Sequence, residues 1–332
     1  MTEMIVPRCS GARGQQRAVH AEREYTSYLS PARLARRRAL RLILAGALIS
    51  PIERIAAATA AQSGRAKDGD VEYALYRKAV ADVLPWAGQI SRIAFKDSLV
   101  RVSAAGVLDR EKYLSFKGGA DSFPASWLAM LDGPSDQPIH ITTKNAAELV
   151  DLLWPIGLSN YLPANRASKI AGPDVNNFAS TGGWSLGNAE TGGQYFNTCA
   201  AIALTPSQEA LAVKVAQNTY RPCCDNSTFL QDCNHGSALF AVLQLSASQG
   251  LDEAALYREA LTFNSFWFPD TYVTTALFFQ VMMDTEWRDV APKLAMGRIF
   301  STASGWDTNV WQPLQAHPEL FPPPSNGVNC GA

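Results

Sequence analysis

The chain has 332 residues, 47% of them hydrophobic and 18% charged, which is enough apolar material for one large domain or two small ones with a buried core and no need of a disulfide to fold. Its formal net charge of -1 hides an asymmetry: residues 1–60 carry ten Arg, no Lys and four acids, a balance of +6, and the remainder carries 19 basic and 26 acidic residues, a balance of -7. A mildly acidic body excludes a nucleic-acid backbone as the main partner, since neutralising phosphates calls for a basic face.

The basic excess belongs to a leader. Arg36, Arg37 and Arg38 precede a short apolar run from Leu42 to Ile49, followed by Pro51 and an alanine-rich stretch in which Ala56 or Ala58 stands ahead of a small-residue cleavage site. This is the order of a secretory signal, and Arg36-Arg37-Arg38-Ala39-Leu40 loosely meets the twin-arginine pattern. The apolar run is far shorter than the roughly 20 residues that span a bilayer, so no permanent membrane span is expected. Export machinery, by the general secretory or a twin-arginine-like route, is the partner the leader implies, with a periplasmic or secreted destination and residues 1–60 removed. The rival readings are an Arg-rich amphipathic helix of the native fold or a mitochondrial-type transit sequence. Cys9 lacks a small apolar lipobox before it and is not read as lipidated.

Residues 68–158 read as an N-terminal helical region. Val71, Leu75, Ala79 and Val83 recur every four positions, and Ile93, Leu99 and Val102 continue the pattern as far as Gly106. Asp109 opens a short segment ending at Phe116. A turn-rich break at 132–138 precedes a Thr-capped helix, ITTKNAAELVDLLWPIGL, which Pro155 is expected to stop or kink.

Residues 159–204 form a Gly/Asn-rich linker, and the part near 180–204 predicts a small β-hairpin with Trp184, Leu186, Tyr195 and Ile202 facing inward. A glycine-rich loop wraps a phosphate only between a strand and a helix N-terminus, which this pattern does not provide.

A second helical region spans 205–300. Thr205, Pro206 and Gln208 form an N-terminal capping signature, a further helix starts near Asp232 or Asn234 and stops at Gly250, and Asp252 caps a third. PDTYVTTALFFQVMM and EWRDVAPKLAMGRIF supply two more, and 301–332 reads as an extended Pro-rich tail. The predicted fold class is mainly α: an orthogonal helix bundle or helix-hairpin array with a small β-hairpin.

Chemistry concentrates in YRPCCDNSTFLQDCNHG, where Cys223, Cys224, Cys233 and His235 lie within thirteen residues at a helix–loop–helix junction. Soft thiolates beside an imidazole suit a thiophilic metal ion, zinc or copper. The favoured ligands are Cys224, Cys233 and His235, assisted by Cys223 or by Cys199 from the expected hairpin. The spacing matches no standard zinc pattern, lacking paired Cys-x2-Cys. Two other readings stay open: a disulfide such as Cys224–Cys233 clamping the loop of a helical envelope scaffold or interaction module, and a thiol redox enzyme in which Cys233 attacks with His235 or His140 as base.

Asp225 and Asp232 are available to orient a histidine, and Asn234 reads as a helix cap. Phe263, Phe266, Trp267, Phe268 and Tyr272, with Asn264 and Asp270 among them, read as core before they read as a pocket wall. Trp306, Trp311 and His317 read as surface packing, and Met282 and Met283 as core rather than a copper site.

Overall fold

A computed structural model describes residues 73–322; the leader, Cys9 and the last ten residues with Cys330 lie outside the described residues. Residues 78–316 make one compact unit, and the described residues outside it, 73–77 and 317–322, carry the first turn of α1 and a short turn at Pro318–Leu320. The architecture is mainly α with one two-stranded antiparallel sheet. In chain order the principal elements are α1 (Ala74–Val83), β1 (Gln89–Lys96), α2 (Ser98–Ala104), α3 (Arg110–Phe116), α4 (Ala125–Asp132), β2 (Ser135–Ile141), α5 (Ala146–Ser159), α6 (Pro206–Gln217), α7 (Asn234–Ser248), α8 (Glu253–Trp267) and α9 (Pro269–Met283). Among the described residues no helix is long and apolar enough to cross a membrane.

Helix α7 is the axis of the unit. Every residue from Gly236 to Ala247 is buried, so it shows no polar stripe, as befits a helix covered on all sides. It packs against α5, α6 and α8. Small residues set the closest of these approaches: a Cβ on Gly157 of α5 would stand 1.8 Å from the Ser237 carbonyl oxygen and 3.1 Å from the Ala241 nitrogen of α7. Backbone therefore meets backbone where α5 crosses α7.

Caps begin the flanking helices as their sequences direct. Thr205 and Gln208 form a reciprocal capping box at α6, Asp109 accepts from the Lys112 amide at 2.9 Å ahead of α3, and Asp252 accepts from the Ala255 amide at 2.8 Å ahead of α8.

The small sheet does not lie where it was expected. Residues 180–204 hold no paired strands but a short helical turn, Ala179–Gly182, and a 3-10 turn, Gly192–Tyr195. Trp184, Tyr195 and Ile202 are buried there as predicted, yet the segment satisfies its hydrogen bonds elsewhere: Trp184 Nε1 donates to the Val107 carbonyl at 2.7 Å, and the Leu186 carbonyl accepts from the Asp109 amide at 2.7 Å. The strands instead come from 89–96, read as helix, and 135–141, read largely as a turn. In β1 three successive residues, Ile93, Ala94 and Phe95, are buried, and an apolar run buried on both faces loses the alternation that marks a strand.

The free edge of β1 is covered by side chains. Gln249 accepts from the Ala94 amide at 3.0 Å and donates to its carbonyl at 2.9 Å, and the buried Glu259 accepts from Ser91 Oγ at 2.5 Å and from the Arg92 amide at 3.2 Å. These contacts occupy ladder positions that a third strand would otherwise take.

Three further expectations are corrected. Of the two outcomes expected at Pro155, a stop is not what occurs: helix α5 runs through it to Ser159; the missing N–H costs one helical bond, but the ring is buried and the packing of α5 on α7 holds the helix together. The segment 286–300 forms only short turns, Trp287–Asp289, Pro292–Ala295 and Arg298–Ser301, because Pro292 and Gly297 begin new turns rather than continue one. The described part of the expected extended tail is helical between Ala303 and Leu314. There Trp306 and Trp311 stack at 6.0 Å, and the Trp306 indole donates to the Thr271 carbonyl of α9 at 3.2 Å.

Candidate metal centre

The cluster sits on the loop that joins α6 to α7. A bridge between Tyr220 and Ser227 closes the base of the loop, the Thr228 amide donates to the Thr219 carbonyl at 2.9 Å, and the two threonine hydroxyls meet at 3.0 Å. Gln231 then takes a left-handed conformation, φ 55, which turns the chain into α7. Cys233 is the N-cap of that helix, and its sulfur accepts from the Gly236 amide at 3.3 Å. A thiolate at this position meets the unsatisfied N–H groups and positive end of the helix. On the other side the Cys224 carbonyl and Asp225 Oδ1 accept from the amides of Ala303 and Ser304, at 3.1 and 2.8 Å.

Donor atoms converge in two overlapping groups. Cys223, Cys233 and His235 form one, Cys224, Asp232 and Cys233 the other, and within each group the donors lie within 4.8 Å of one another. The sulfurs of Cys223 and Cys233 are 3.5 Å apart. Cys233 is thus common to both, Cys223 is exposed, and Cys224 is half-buried. Cys223 stands with Cys233 and His235 where Cys224 had been favoured; Cys224 is drawn toward Arg221 and Asp232 instead. Cys199 joins neither group: it is buried, bridged to Asn160, with its sulfur 3.9 Å from the Arg101 carbonyl. No disulfide links the four described cysteines.

Arg221 is the residue that sequence reasoning passed over. It is fully buried, and its Nη2 donates to Cys224 Sγ at 3.1 Å and to Asp232 Oδ1. Its Nε and Nη1 are buried without an acceptor. Gly236 makes room for it, since a Cβ there would come within 3.0 Å of the Arg221 Cζ. An arginine after a helix reads as a charge complementing the helix dipole. The signal that would have found it is electroneutrality: Arg221 is the single Lys or Arg between positions 221 and 235, among three thiols and two aspartates.

The charges respond to this arrangement. The thiol of Cys233 is pulled well below its ordinary range, first by hydrogen bonds from Cys223 and Cys224 and then, against the cost of burial, by the Arg221 charge and the Gly236 amide. Hydrogen bonds with Cys224 and with Cys233 push Cys223 above the thiol range, and burial adds to the effect. One proton is therefore withheld while the other is released. Burial opposes the charge on Arg221, yet the neighbouring Cys233, Cys224 and Asp232 raise its pKa further. His235 is lowered to about 4, by burial first and Arg221 second, with Cys224 acting in the opposite direction. Its imidazole is neutral at pH 7 and free to act as a donor.

Aromatic rings hold that imidazole in place. Phe268 lies 4.6 Å from the His235 ring and Trp267 lies 5.9 Å from it, centroid to centroid. Phe263, Phe266 and Tyr272 are buried core, as expected, and Asn264 bonds the Tyr220 carbonyl and the Tyr272 hydroxyl, each at 3.1 Å. The aromatic run thus does both jobs, with Trp267 and Phe268 reaching the site. Asp232 accepts from Asn226 at 2.7 Å as well as from Arg221, and Asn234 turns its side chain back to the His235 amide at 2.8 Å.

His140 lies elsewhere, on β2, with Nε2 2.7 Å from the Ala87 carbonyl oxygen. It lines one of two grooves, about 250 and 330 Å³, that flank Trp127 and contain none of the clustered thiols. It takes no part in either donor group.

Compared with models of known families, with curated proteins and with solved structures, the chain matches none of them.

Proposed function

We propose that this protein binds a thiophilic metal ion, zinc or copper, through Cys223, Cys233 and His235, with Cys224 at hand as a fourth ligand, and that it is exported to serve in the periplasm or as a secreted protein. The observation that carries the reading is the convergence of two sulfurs and a neutral imidazole within 4.8 Å. A tetrahedral zinc site, with sulfur at about 2.3 Å and nitrogen at about 2.0 Å, sets such donors roughly 3.5 to 3.8 Å apart, so small side-chain adjustments suffice. The buried charge fits as well. Metal-bound thiolates are acceptors, and Arg221 offers two buried N–H groups that have none. Asp232 supplies the outer carboxylate that keeps Arg221 in position.

Three protein ligands leave a coordination position for water or a further ligand, and recruitment of Cys224 closes the site. The first arrangement supports reactivity and the second a structural role. Export rests on the leader: three consecutive arginines ahead of a short apolar run. A twin-arginine route carries folded proteins, so an ion inserted in the cytoplasm would shield the thiolates before they reach an oxidising compartment.

Elemental analysis of the protein purified from its native compartment tests the reading, with Cys233→Ser as control. About one equivalent of zinc or copper is expected in the wild type and a small fraction of it in the variant. A wild type without stoichiometric metal refutes it.

A further inference from the structure

The metal reading leaves a sulfur to spare, and the three thiols are not equivalent. Cys224 is held by the Arg221 guanidinium at 3.1 Å. Cys223 is exposed and faces Cys233 at 3.5 Å, hydrogen-bonded to it but not joined by a disulfide. Closing that gap to a disulfide takes about 1.5 Å of sulfur movement, given a bond length near 2.05 Å. The Tyr220–Ser227 bridge closes the turn that carries Cys223, and Cys233 is fixed as the N-cap of α7, so side-chain rotation can supply most of it.

We infer that the cluster is also an exchange site for small organic disulfides, in which Cys223 and Cys233 become joined and the ion loses two ligands at once. The inference deepens the metal reading and shares its residues. In the first step the Cys223 sulfur, which keeps its proton in the metal-free cluster and which a bound ion would hold as a thiolate, attacks one sulfur of a disulfide RSSR, forming a Cys223–S–S–R mixed disulfide and expelling RS⁻. In the second the Cys233 thiolate attacks the Cys223 sulfur, forming the Cys223–Cys233 bond and expelling the second RS⁻. The two cysteine sulfurs lose two electrons and RSSR gains them; each RS⁻ takes a proton from solvent, giving two RSH. A thiophilic divalent ion held by the two thiolates leaves as the free cation. Cys224 stays reduced, because its sulfur is turned to Arg221 and Asp232, and with His235 it is too small a set to retain the ion tightly.

The substrate class follows from access. Only Cys223 of the three sulfurs belongs to an exposed residue, so the oxidant must be small and must approach from that side, as oxidised glutathione does.

The test uses full-length protein loaded with zinc and treated with oxidised glutathione, followed by mass mapping under non-reducing conditions and by a chromogenic zinc indicator. The expected result in wild type is a Cys223–Cys233 disulfide, with Cys224 left reduced, and one zinc released per disulfide. Cys233→Ser should stop at a glutathione adduct on Cys223, and Cys223→Ser should react at least tenfold more slowly. A Cys224–Cys233 bond, or a wild type that stalls as the mixed disulfide, overturns the inference. The two readings fail separately: protein that takes up no zinc yet still forms the Cys223–Cys233 bond refutes metal binding alone, and zinc-loaded protein that keeps its ion and its thiols under glutathione disulfide refutes exchange alone.

Discussion

The buried Arg221 and the half-buried Asp232 form an ion pair beside the cysteine cluster, and the same guanidinium nitrogen that holds the carboxylate also holds the sulfur of Cys224. A fully buried arginine is kept charged only where its partners repay desolvation. Removing it strands Asp232 among thiolates. Arg221→Leu is therefore expected to destabilise the fold by roughly 3 to 5 kcal/mol and to weaken metal binding by about 10- to 100-fold. Arg221→Lys keeps the charge but loses the fork that reaches sulfur and carboxylate together, so it should fall between the two. Urea unfolding gives the first quantity, and competition with a chelator of known affinity gives the second.

The histidine makes stability depend on pH in a stated direction. With a folded-state value of about 4 against 6.5 for an ordinary imidazole, the unfolded chain binds more protons than the folded one across that window. The contribution is fully present above pH 6.5, declines as pH falls, and is exhausted near pH 4. Its size is about 3 kcal/mol, from roughly 1.4 kcal/mol for each pKa unit. Metal-free wild type should lose stability over this interval, and His235→Phe, which fits the same ring contacts, should flatten that slope. Equal slopes in the two proteins would show that another group carries the dependence.

How much of this was legible beforehand depends on how local the cause is. Caps are local, and Thr205, Asp109 and Asp252 begin their helices where their side chains require. The cluster was legible for the same reason, since four donors fall within thirteen residues. Which donors would meet was not. Adjacent cysteines diverge, and it is Arg221, drawing Cys224 to itself, that leaves Cys223 to face Cys233. The strands escaped because Ile93, Ala94 and Phe95 are buried by partners far along the chain: β2, Gln249 and Glu259. In the same way the 180–204 segment has the composition of a hairpin, but the loop near Val107 takes its hydrogen bonds.

Gly157 gives the sharpest packing test. A methyl group there would have to share space with the Ser237 carbonyl 1.8 Å away. Backbone cannot rotate aside as a side chain can, so α5 and α7 would have to separate. Gly157→Ala should cost about 3 kcal/mol, the upper end for overpacking, despite its better helix propensity. Because Ser237 lies two residues after His235 on α7, the displacement should reach the cluster too. Equilibrium unfolding is expected to show the loss, and zinc affinity in the folded fraction should drop with it; unchanged stability would mean that the helices yield without strain.

Gln249 tests whether a side chain can stand in for a strand. Its amide satisfies both the donor and the acceptor of Ala94 on the open edge of β1. Gln249→Leu keeps the volume and removes both bonds, leaving two part-buried backbone groups unpaired, at a cost of about 1 to 3 kcal/mol. Gln249→Glu keeps only the acceptor, for the Ala94 amide, and brings its charge against the carbonyl, so it should be no milder. A second consequence separates edge protection from simple stability. With its ladder groups uncovered, β1 offers Ala94 to other chains, and the Leu variant should form concentration-dependent oligomers under conditions in which it is still folded. Light scattering at several concentrations measures this; a destabilised variant that stays monomeric would assign Gln249 to stability alone and leave Glu259, bonded to Ser91 and Arg92, as the guard of the edge.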